Sequence, residues 1–211
     1  MARKITRQRL NKLLERYATT EQVLDVGAGG SSYGRLFPNR TTLDIDPERK
    51  PDIVADAAHM PFKDGAFRFV VCTEMLEHVN DPFAVERELC RVTAPGGMLV
   101  LTTRFAYPLH DVPADYWRFT KYGLAKLFHS WDIQELQEET RAFSAIAALL
   151  QRISFQTNLR GGKFTKGILA ILTKIFLLGD SLIVDEFGDI KRKTRENGIL
   201  STGYLLVCKK K

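Results

Sequence analysis

The chain has 211 residues, of which 45% are hydrophobic, and a formal net charge of +6. This length allows one domain with a sizeable core and excludes two full ones, and the hydrophobic content is ordinary for a soluble protein. Three cysteines, Cys72, Cys90 and Cys208, lack metal-ligand spacing, so we predict that all three are small buried hydrophobes. Their odd number and the absence of a signal peptide favour the reducing cytoplasm.

The charge is unevenly distributed along the chain. Residues 1–20 carry six Lys or Arg against one acid, residues 21–140 twelve against nineteen, and residues 141–211 thirteen against five. The basic ends point to an anionic partner such as a membrane surface, a phosphorylated glycan or nucleic acid. Solvated termini rich in Lys and Arg explain the same pattern equally well.

The predicted elements alternate as they do in an α/β sheet. Helices are predicted near 3–18, 82–93 and 121–130. Asp81 or Asn80 is predicted to cap the second, and Thr120 the third. Strands are predicted near 22–26, 41–45, 52–55, 67–72, 97–103, 132–138 and 203–208. The segment Tyr33–Phe37 leaves room for only a turn or two of helix.

The first predicted strand ends in a glycine-rich turn, Asp25-Val26-Gly27-Ala28-Gly29-Gly30-Ser31-Ser32. Glycine permits positive φ and removes the Cβ that would hold a ligand away from the backbone. Such a turn is weak evidence when it stands alone. Its weight comes from the acidic residues that follow.

Two later strands also end in carboxylates, Asp44 about twenty residues after the turn and Asp56 after the third strand. An acid at the first of these places accepts hydrogen bonds from ribose hydroxyls in nucleotide-binding folds, and Asp56 could accept one from an adenine amine. Asp25 beside the turn would repel a pyrophosphate and attract an ammonium. A dinucleotide site has its third glycine where this chain has Ser32. The two observations together favour S-adenosylmethionine over a dinucleotide as the ligand.

Residues 22–104 resemble class I S-adenosylmethionine-dependent methyltransferases of the group that includes the ubiquinone/menaquinone-biosynthesis enzymes. The signatures are Leu24–Gly29, Asp44-Ile45, Asp56–Phe62, Phe67–Cys72, Glu74–Val79 and Ala94–Leu99. The resemblance implies a Rossmann-like, seven-stranded, mostly parallel sheet flanked by helices. Two positions depart from the family pattern: Ser31 replaces a third glycine, and Arg68 replaces an aspartate.

The resemblance also implies roles for individual residues in binding S-adenosylmethionine. Asp25 and the backbone of Gly27, Ala28 and Gly29 would hold the methionine part, and Asp44 would bind the ribose. Asp56 with Ala57 would read the adenine, and Ile45 would pack on its face. Glu74 belongs to the same set of cofactor residues. For Asp44, a helix N-cap or an Asx turn before Pro47 is the alternative interpretation.

A helical insertion is predicted between the last two strands. We divide the chain into an N-terminal helix (1–20), a cofactor-binding core (21–140), the insertion (141–199), and the last strand with a basic tail (200–211). The insertion contains two apolar segments, Ala142–Phe155 and Thr165–Leu178, which are too short and too charged to span a bilayer. They fit an interfacial helix, a lid over an apolar substrate or a dimer helix, with Gly161-Gly162 as hinge or turn.

The acceptor side is predicted in the loop after the fifth strand. His110 is the first candidate general base and His78 the second, since a base is needed when a hydroxyl is methylated. Arg118 could bind an anionic acceptor or pair with Asp115. Tyr116 and Trp117 could stack on a ring or anchor the loop.

The sequence therefore predicts a methyltransferase that uses S-adenosylmethionine and no metal. Its acceptor is predicted to be a small molecule, lipid or glycan, with oxygen as the expected methylated atom. The alternatives are a methyltransferase-like binding or assembly protein without turnover and a membrane-associated quinone C-methyltransferase. Nucleic acid is disfavoured as acceptor, since Cys72-Thr73-Glu74-Met75 stands where DNA amino methyltransferases carry an Asn-Pro-Pro-Tyr-type segment. The expected location is the cytoplasm, with peripheral contact at the inner membrane surface and a homodimer left open.

Overall fold

The computed structural model describes residues 5–30 and 33–211. Within these residues the helices are α1 (Ile5–Leu14), α2 (Pro82–Val92), α3 (Lys121–Leu127), α4 (Ala142–Gln156) and α5 (Lys163–Gly179). The strands are β1 (Val23–Val26), β2 (Arg40–Asp44), β3 (Ile53–Val54), β4 (Phe67–Thr73), β5 (Thr93–Arg104), β6 (Asp132–Glu138), β7 (Phe187–Asp189), β8 (Thr194–Arg195) and β9 (Gly203–Lys209). The predictions that concern Ser31, Ser32 and the first residues of the N-terminal helix lie outside the described part.

Seven strands form one sheet in the order β3-β2-β1-β4-β5-β9-β6, which confirms the predicted fold class. Strands β1 to β5 pair in parallel, with Val26 beside Leu43 on one side and beside Cys72 on the other. The order reverses between β1 and β4, so ligands are expected outside the carboxyl ends of the strands at that point. β9 runs antiparallel to β5, since the Gly96 N–H bonds the Lys210 carbonyl near one end and the Phe105 N–H bonds Thr202 near the other.

The core forms because the central strands are apolar on both faces. Val23, Leu24 and Val26 of β1 are fully buried, as are Leu99, Val100 and Leu101 of β5. Continuous burial of this kind is typical of parallel strands that are covered by helices on both sides. Cys72 and Cys208 are buried as predicted, whereas Cys90 on α2 is only half-buried, so the prediction was wrong for that residue.

Polar side chains at the predicted positions begin two of the helices. The Asp81 carboxylate accepts hydrogen bonds from the N–H groups of Phe83 and Ala84, and the Thr120 hydroxyl accepts one from Gly123. These bonds satisfy N–H groups that have no partner within the first turn of a helix. α3 ends at Leu127, earlier than predicted, and Gly34–Leu36 forms the single short turn expected between β1 and β2.

The chain divides into two compact units. The larger comprises Asn11–Arg104, Leu109–Gln137 and Tyr204–Lys211, and the smaller comprises the described part of Met1–Leu10, Phe105–Pro108 and Glu138–Gly203. None of the described helices is long and apolar enough to cross a membrane.

The smaller unit contains the predicted pair of helices, α4 and α5. The rings of Phe143 on α4 and Phe176 on α5 lie 6.0 Å apart, and the Ser144 N–H bonds the Asp180 carboxylate at 3.1 Å. The sequence did not predict the small antiparallel pair β7–β8 that follows. Its turn is held by Asp189, whose carboxylate accepts hydrogen bonds from two N–H groups in the turn.

Candidate cofactor and acceptor site

The glycine-rich turn after β1 has a conformation that requires glycine. Gly27 and Gly29 have φ angles of +69° and +47°, which side chains other than glycine rarely adopt. A Cβ at Gly27 would lie 2.2 Å from Cγ of Met75, so a side chain cannot be added without moving the loop after β4. The turn is therefore packed directly against the next functional loop.

Asp44, at the end of β2, fixes the turn. One oxygen of its carboxylate accepts a hydrogen bond from the Gly29 N–H at 2.9 Å, and the other accepts one from the Asp46 N–H at 3.0 Å. The second bond is the Asx turn raised by the sequence as an alternative. Each carboxylate oxygen has a second lone pair, so these bonds leave acceptor capacity for a ligand.

A cavity of about 490 Å³ lies in the larger unit at the carboxyl ends of β1 to β4. Six of the predicted cofactor residues line it: Gly27, Asp44, Ile45, Asp56, Ala57 and Glu74. Ile45 is 69% exposed there, although it is a large apolar side chain. The volume lies within the range of roughly 300–1,000 Å³ that small-molecule sites occupy. An apolar surface between carboxylates suits a nucleoside, which has a flat base and a polyhydroxylated sugar.

Asp25, Ala28 and Gly29 do not line this cavity. The Asp25 carboxylate is fully buried, accepts a hydrogen bond from the Tyr33 hydroxyl at 3.0 Å and lies 3.5 Å from Nε of Arg40. Burial raises the pKa of Asp25 to about 6, because the charged form loses its hydration. The predicted contact of Asp25 with the methionine part therefore remains a prediction. In the structure its carboxylate contacts Tyr33 and Arg40.

A buried polar cluster lies next to the cavity. Glu77 is fully buried, and one of its carboxylate oxygens accepts a hydrogen bond from the Thr103 hydroxyl at 2.7 Å. The other oxygen lies 3.8 Å from Nε2 of His110. Burial, together with the nearby charge of Glu74, raises the pKa of Glu77 to about 8, although Arg104 opposes the shift.

The two candidate bases lie together, their ring centroids 4.7 Å apart. His78 lines the cavity, whereas His110 is not among the lining residues. Nδ1 of His78 donates a hydrogen bond to the Ala114 carbonyl, which assigns the proton to that nitrogen and leaves Nε2 as the acceptor in the neutral ring. Burial lowers the pKa of His110, the nearby Asp115 carboxylate opposing this, so the neutral ring is favoured.

Three residues of the loop after β5 were expected to bind substrate. Two of them, Arg118 and Trp117, form side-chain hydrogen bonds to other residues of the chain. Arg118 donates two hydrogen bonds of 2.7 Å to the two oxygens of Asp115, and this pair lowers the pKa of Asp115 to about 2. Nε1 of Trp117 donates to the Val79 carbonyl at 2.8 Å, whereas Tyr116 is 52% exposed. The contacts of Arg118 and Trp117 are the loop-anchoring alternatives raised by the sequence, and substrate binding stays a prediction for all three.

One set of side chains could hold a cation. Potential ligand atoms of Glu77, His78 and His110 lie within 4.8 Å of one another. Sequence reasoning missed this grouping, because His110 is distant from the other two along the chain. The predicted absence of a metal therefore stays a prediction.

Comparison with known proteins relates the predicted cofactor-binding core to methyltransferases. Residues 24–101 match the family described as Methyltransferase domain. The chain is 36% identical over 118 residues to a ubiquinone biosynthesis O-methyltransferase of Xanthomonas oryzae pv. oryzae (strain PXO99A). That alignment covers 45% of this chain and 49% of the relative, so the chain spans about half the length of the curated relatives it matches.

Two solved structures share the fold. A putative methyltransferase from Bacillus halodurans C-125 superposes with a TM-score of 0.60 at 18% identity, covering 95% of this chain and 98% of that one. Phosphoethanolamine N-methyltransferase 2 of Haemonchus contortus, in complex with S-adenosyl-L-methionine, gives 0.56 at 15% identity and covers 96% of this chain and 52% of that one.

The strand order, which reverses between β1 and β4, defines a Rossmann-like fold, and the cavity lies at that switch point. Residues 24–101, which match the family described as Methyltransferase domain, comprise β2 to β4 and most of β1 and β5 of this sheet.

Proposed function

We propose that this chain transfers a methyl group from S-adenosylmethionine to a hydroxyl oxygen of a small molecule, lipid or glycan. The observation that carries the proposal is the cavity at the carboxyl ends of β1 to β4, whose lining includes the predicted cofactor residues Asp44, Asp56 and Glu74; the Glu74 carboxylate also pairs with Arg104. All three belong to the segment that matches the methyltransferase domain.

The cavity residues fit the proposed cofactor. Asp44 would accept hydrogen bonds from the ribose hydroxyls, and Ile45 would pack on one face of the adenine. One oxygen of Asp56 accepts a hydrogen bond from the Ala58 N–H at 2.9 Å, and its carboxylate would also accept one from the exocyclic amine of the base. When bound, S-adenosylmethionine supplies a methyl carbon that its sulfonium has already activated. Alignment of the acceptor with that carbon and exclusion of water then provide much of the rate.

The base is assigned to the pair His78 and His110. His78 lines the cavity with its Nδ1 proton held by the Ala114 carbonyl, so Nε2 would be available to accept the proton of an acceptor hydroxyl. His110 packs on His78 and lies 3.4 Å from the carboxylate of Asp115. The sequence made His110 the first candidate base. Because His110 does not line the cavity, we assign it the role of positioning His78.

Calorimetric titration of S-adenosylmethionine tests the cofactor site. The wild type is expected to bind in the micromolar range, and Asp44→Ala to bind at least tenfold more weakly, since a hydrogen bond to a charged group contributes about 1.5–3 kcal/mol. Asp64→Ala serves as the control, because this side chain is 82% exposed and lies outside the cavity lining. No binding by the wild type would refute the proposal. Equal binding by Asp44→Ala would refute the role of Asp44.

Turnover measurements test the base once an acceptor has been found. Replacing the base costs about 10²–10⁴-fold in kcat, so His78→Ala is expected to lose more than His110→Ala. The reverse order would move the base to His110, and undiminished turnover in both variants would remove the base assignment. Activity that EDTA abolishes and a divalent cation restores would assign Glu77, His78 and His110 to a metal instead.

The acceptor class and the partners form the finer part of the proposal. The similarity to a ubiquinone biosynthesis O-methyltransferase favours oxygen as the methylated atom and a quinone precursor as acceptor. The alternative of a membrane-associated quinone C-methyltransferase keeps only the exposed apolar side chains of α5 as support. A binding or assembly protein would bind the cofactor and show no turnover with any acceptor. A screen that begins with lipids, glycans and quinone precursors separates these alternatives, and light scattering tests the homodimer.

A further inference from the structure

Helix α5 of the smaller unit presents a large apolar face to solvent. Its packed side contacts α4, where Phe176 lies against Phe143 and where Thr173 and Gly179 are buried. The exposed face continues into the short turn Asp180–Leu182. Six large side chains on this face are 43–77% exposed: Phe164, Ile168, Ile171, Ile175, Leu178 and Leu182. We call these six residues the α5 stripe.

The spacing of the α5 stripe makes it one continuous surface. Successive members are separated by four, three, four, three and four residues, which places them along a single line of a helix. Their exposed fractions correspond to roughly 700 Å² of apolar surface, taking ~180–200 Å² for each fully exposed side chain. Monomeric proteins rarely leave contiguous apolar patches above about 300–600 Å² exposed. This face therefore has the size of a binding surface.

Positive charge accompanies the stripe. Residues 160–179 contain Arg160, Lys163, Lys166 and Lys174 and no carboxylate. Lys163 and Lys174 are exposed and project from the same flank of the helix, about 80–100° from the stripe. In the part of the chain that the structure describes, no carboxylate is recorded in an ion pair with either lysine. A negatively charged occupant of this face would complement these lysines.

We propose that the α5 stripe docks on an anionic lipid surface, with α5 lying in the plane of the membrane interface. Apolar residues along one face and lysines beside them are the pattern of interfacial helices, which combine apolar burial with attraction to acidic headgroups. A second copy of this chain fits less well. Two α5 faces packed together would bring their lysines into a common interface with no carboxylate on either helix to neutralise them. The proposal does not depend on which acceptor is methylated.

Vesicle flotation with the intact chain tests the proposal. We expect binding to phosphatidylcholine vesicles that contain 30% phosphatidylglycerol, and weak binding to phosphatidylcholine alone. The double variant Ile171→Asn/Leu178→Asn is expected to bind at least tenfold less. Tyr122→Asn is the matched control, because Tyr122 is a 67% exposed side chain on a different helix, and it should bind as the wild type does.

The charge is tested separately with Lys163→Gln/Lys174→Gln. Each lysine near an anionic surface contributes about fivefold to the partition coefficient, so this variant should lose at least tenfold on the anionic vesicles and show weaker salt dependence. No binding by the wild type, or equal binding by the Ile171→Asn/Leu178→Asn variant, would overturn the proposal. So would a wild-type dimer that this variant converts to a monomer, which would make the stripe a self-association face.

Discussion

The buried Asp25 is expected to cost stability at neutral pH. Its pKa is raised from 3.8 to about 6 in the folded chain, chiefly because burial removes the hydration of the charged form. A raised pKa means that the folded state binds the proton more tightly than the unfolded state does. The stabilising effect of the protonated acid is therefore complete below about pH 4 and is lost as the pH rises through 6.

The size of this effect follows from the shift. About two pKa units correspond to roughly 3 kcal/mol at pH 8, since each unit is 1.36 kcal/mol. Asp25→Asn resembles the protonated acid in shape and keeps an oxygen that can accept the Tyr33 hydroxyl. We therefore expect the variant to be more stable than the wild type by up to about 3 kcal/mol at pH 8, and by nearly nothing at pH 4.

Urea unfolding at a series of pH values measures this difference directly. Subtracting the wild-type free energy of unfolding from that of Asp25→Asn cancels the other titrating groups, which both proteins share. At pH 8 the melting temperature should rise by about 6–12 °C for a chain of this length. A variant that is less stable at pH 8, or a difference that does not change between pH 4 and pH 8, would refute the reasoning. The loss of the Arg40 interaction would then be the dominant effect.

Two further predictions concern backbone conformation and helix capping. Gly27→Ala should lower the free energy of unfolding by more than about 1 kcal/mol, because φ is +69° and the new Cβ would overlap Met75. Gly30→Ala is the control: the space around the added Cβ is open, so the melting temperature should not change. Thr120→Ala removes the acceptor of the Gly123 N–H and should lower the free energy of unfolding by about 1 kcal/mol, measured in urea; an unchanged value would mean that solvent caps α3 equally well.

Much of the fold could be predicted because its signals are local. The apolar runs that form β1, β4 and β5 are visible in the sequence, as are the caps Asp81 and Thr120. The hairpin β7–β8 was missed, because its strands of three and two residues carry almost no periodic pattern. The exposed stripe of α5 was seen only as an apolar segment, since the face that packs on α4 cannot be separated from the other by composition.

The meeting of the acidic residues at the cavity was predictable for a related reason. The carboxyl ends of neighbouring parallel strands meet at one edge of a sheet, so Asp44, Asp56 and Glu74 are brought together once the strand order is known. Asp25 belongs to the same pattern, but its side chain is buried beneath the turn and does not line the cavity. Strand position specifies where a residue lies and leaves open which way its side chain points.

The sequence by itself determined the α/β class, the glycine turn and the acidic strand ends, because each depends on residues that are close together along the chain. Only the tertiary structure decided that His78 and His110 lie side by side, that Arg118 pairs with Asp115, and that Glu77 is buried with one oxygen 3.8 Å from His110. The contacts of His110 with His78 and Glu77 join the loop after β5 to the loop after β4, and their energies depend on burial and distance in space. Neither quantity is encoded in the spacing of residues along one chain.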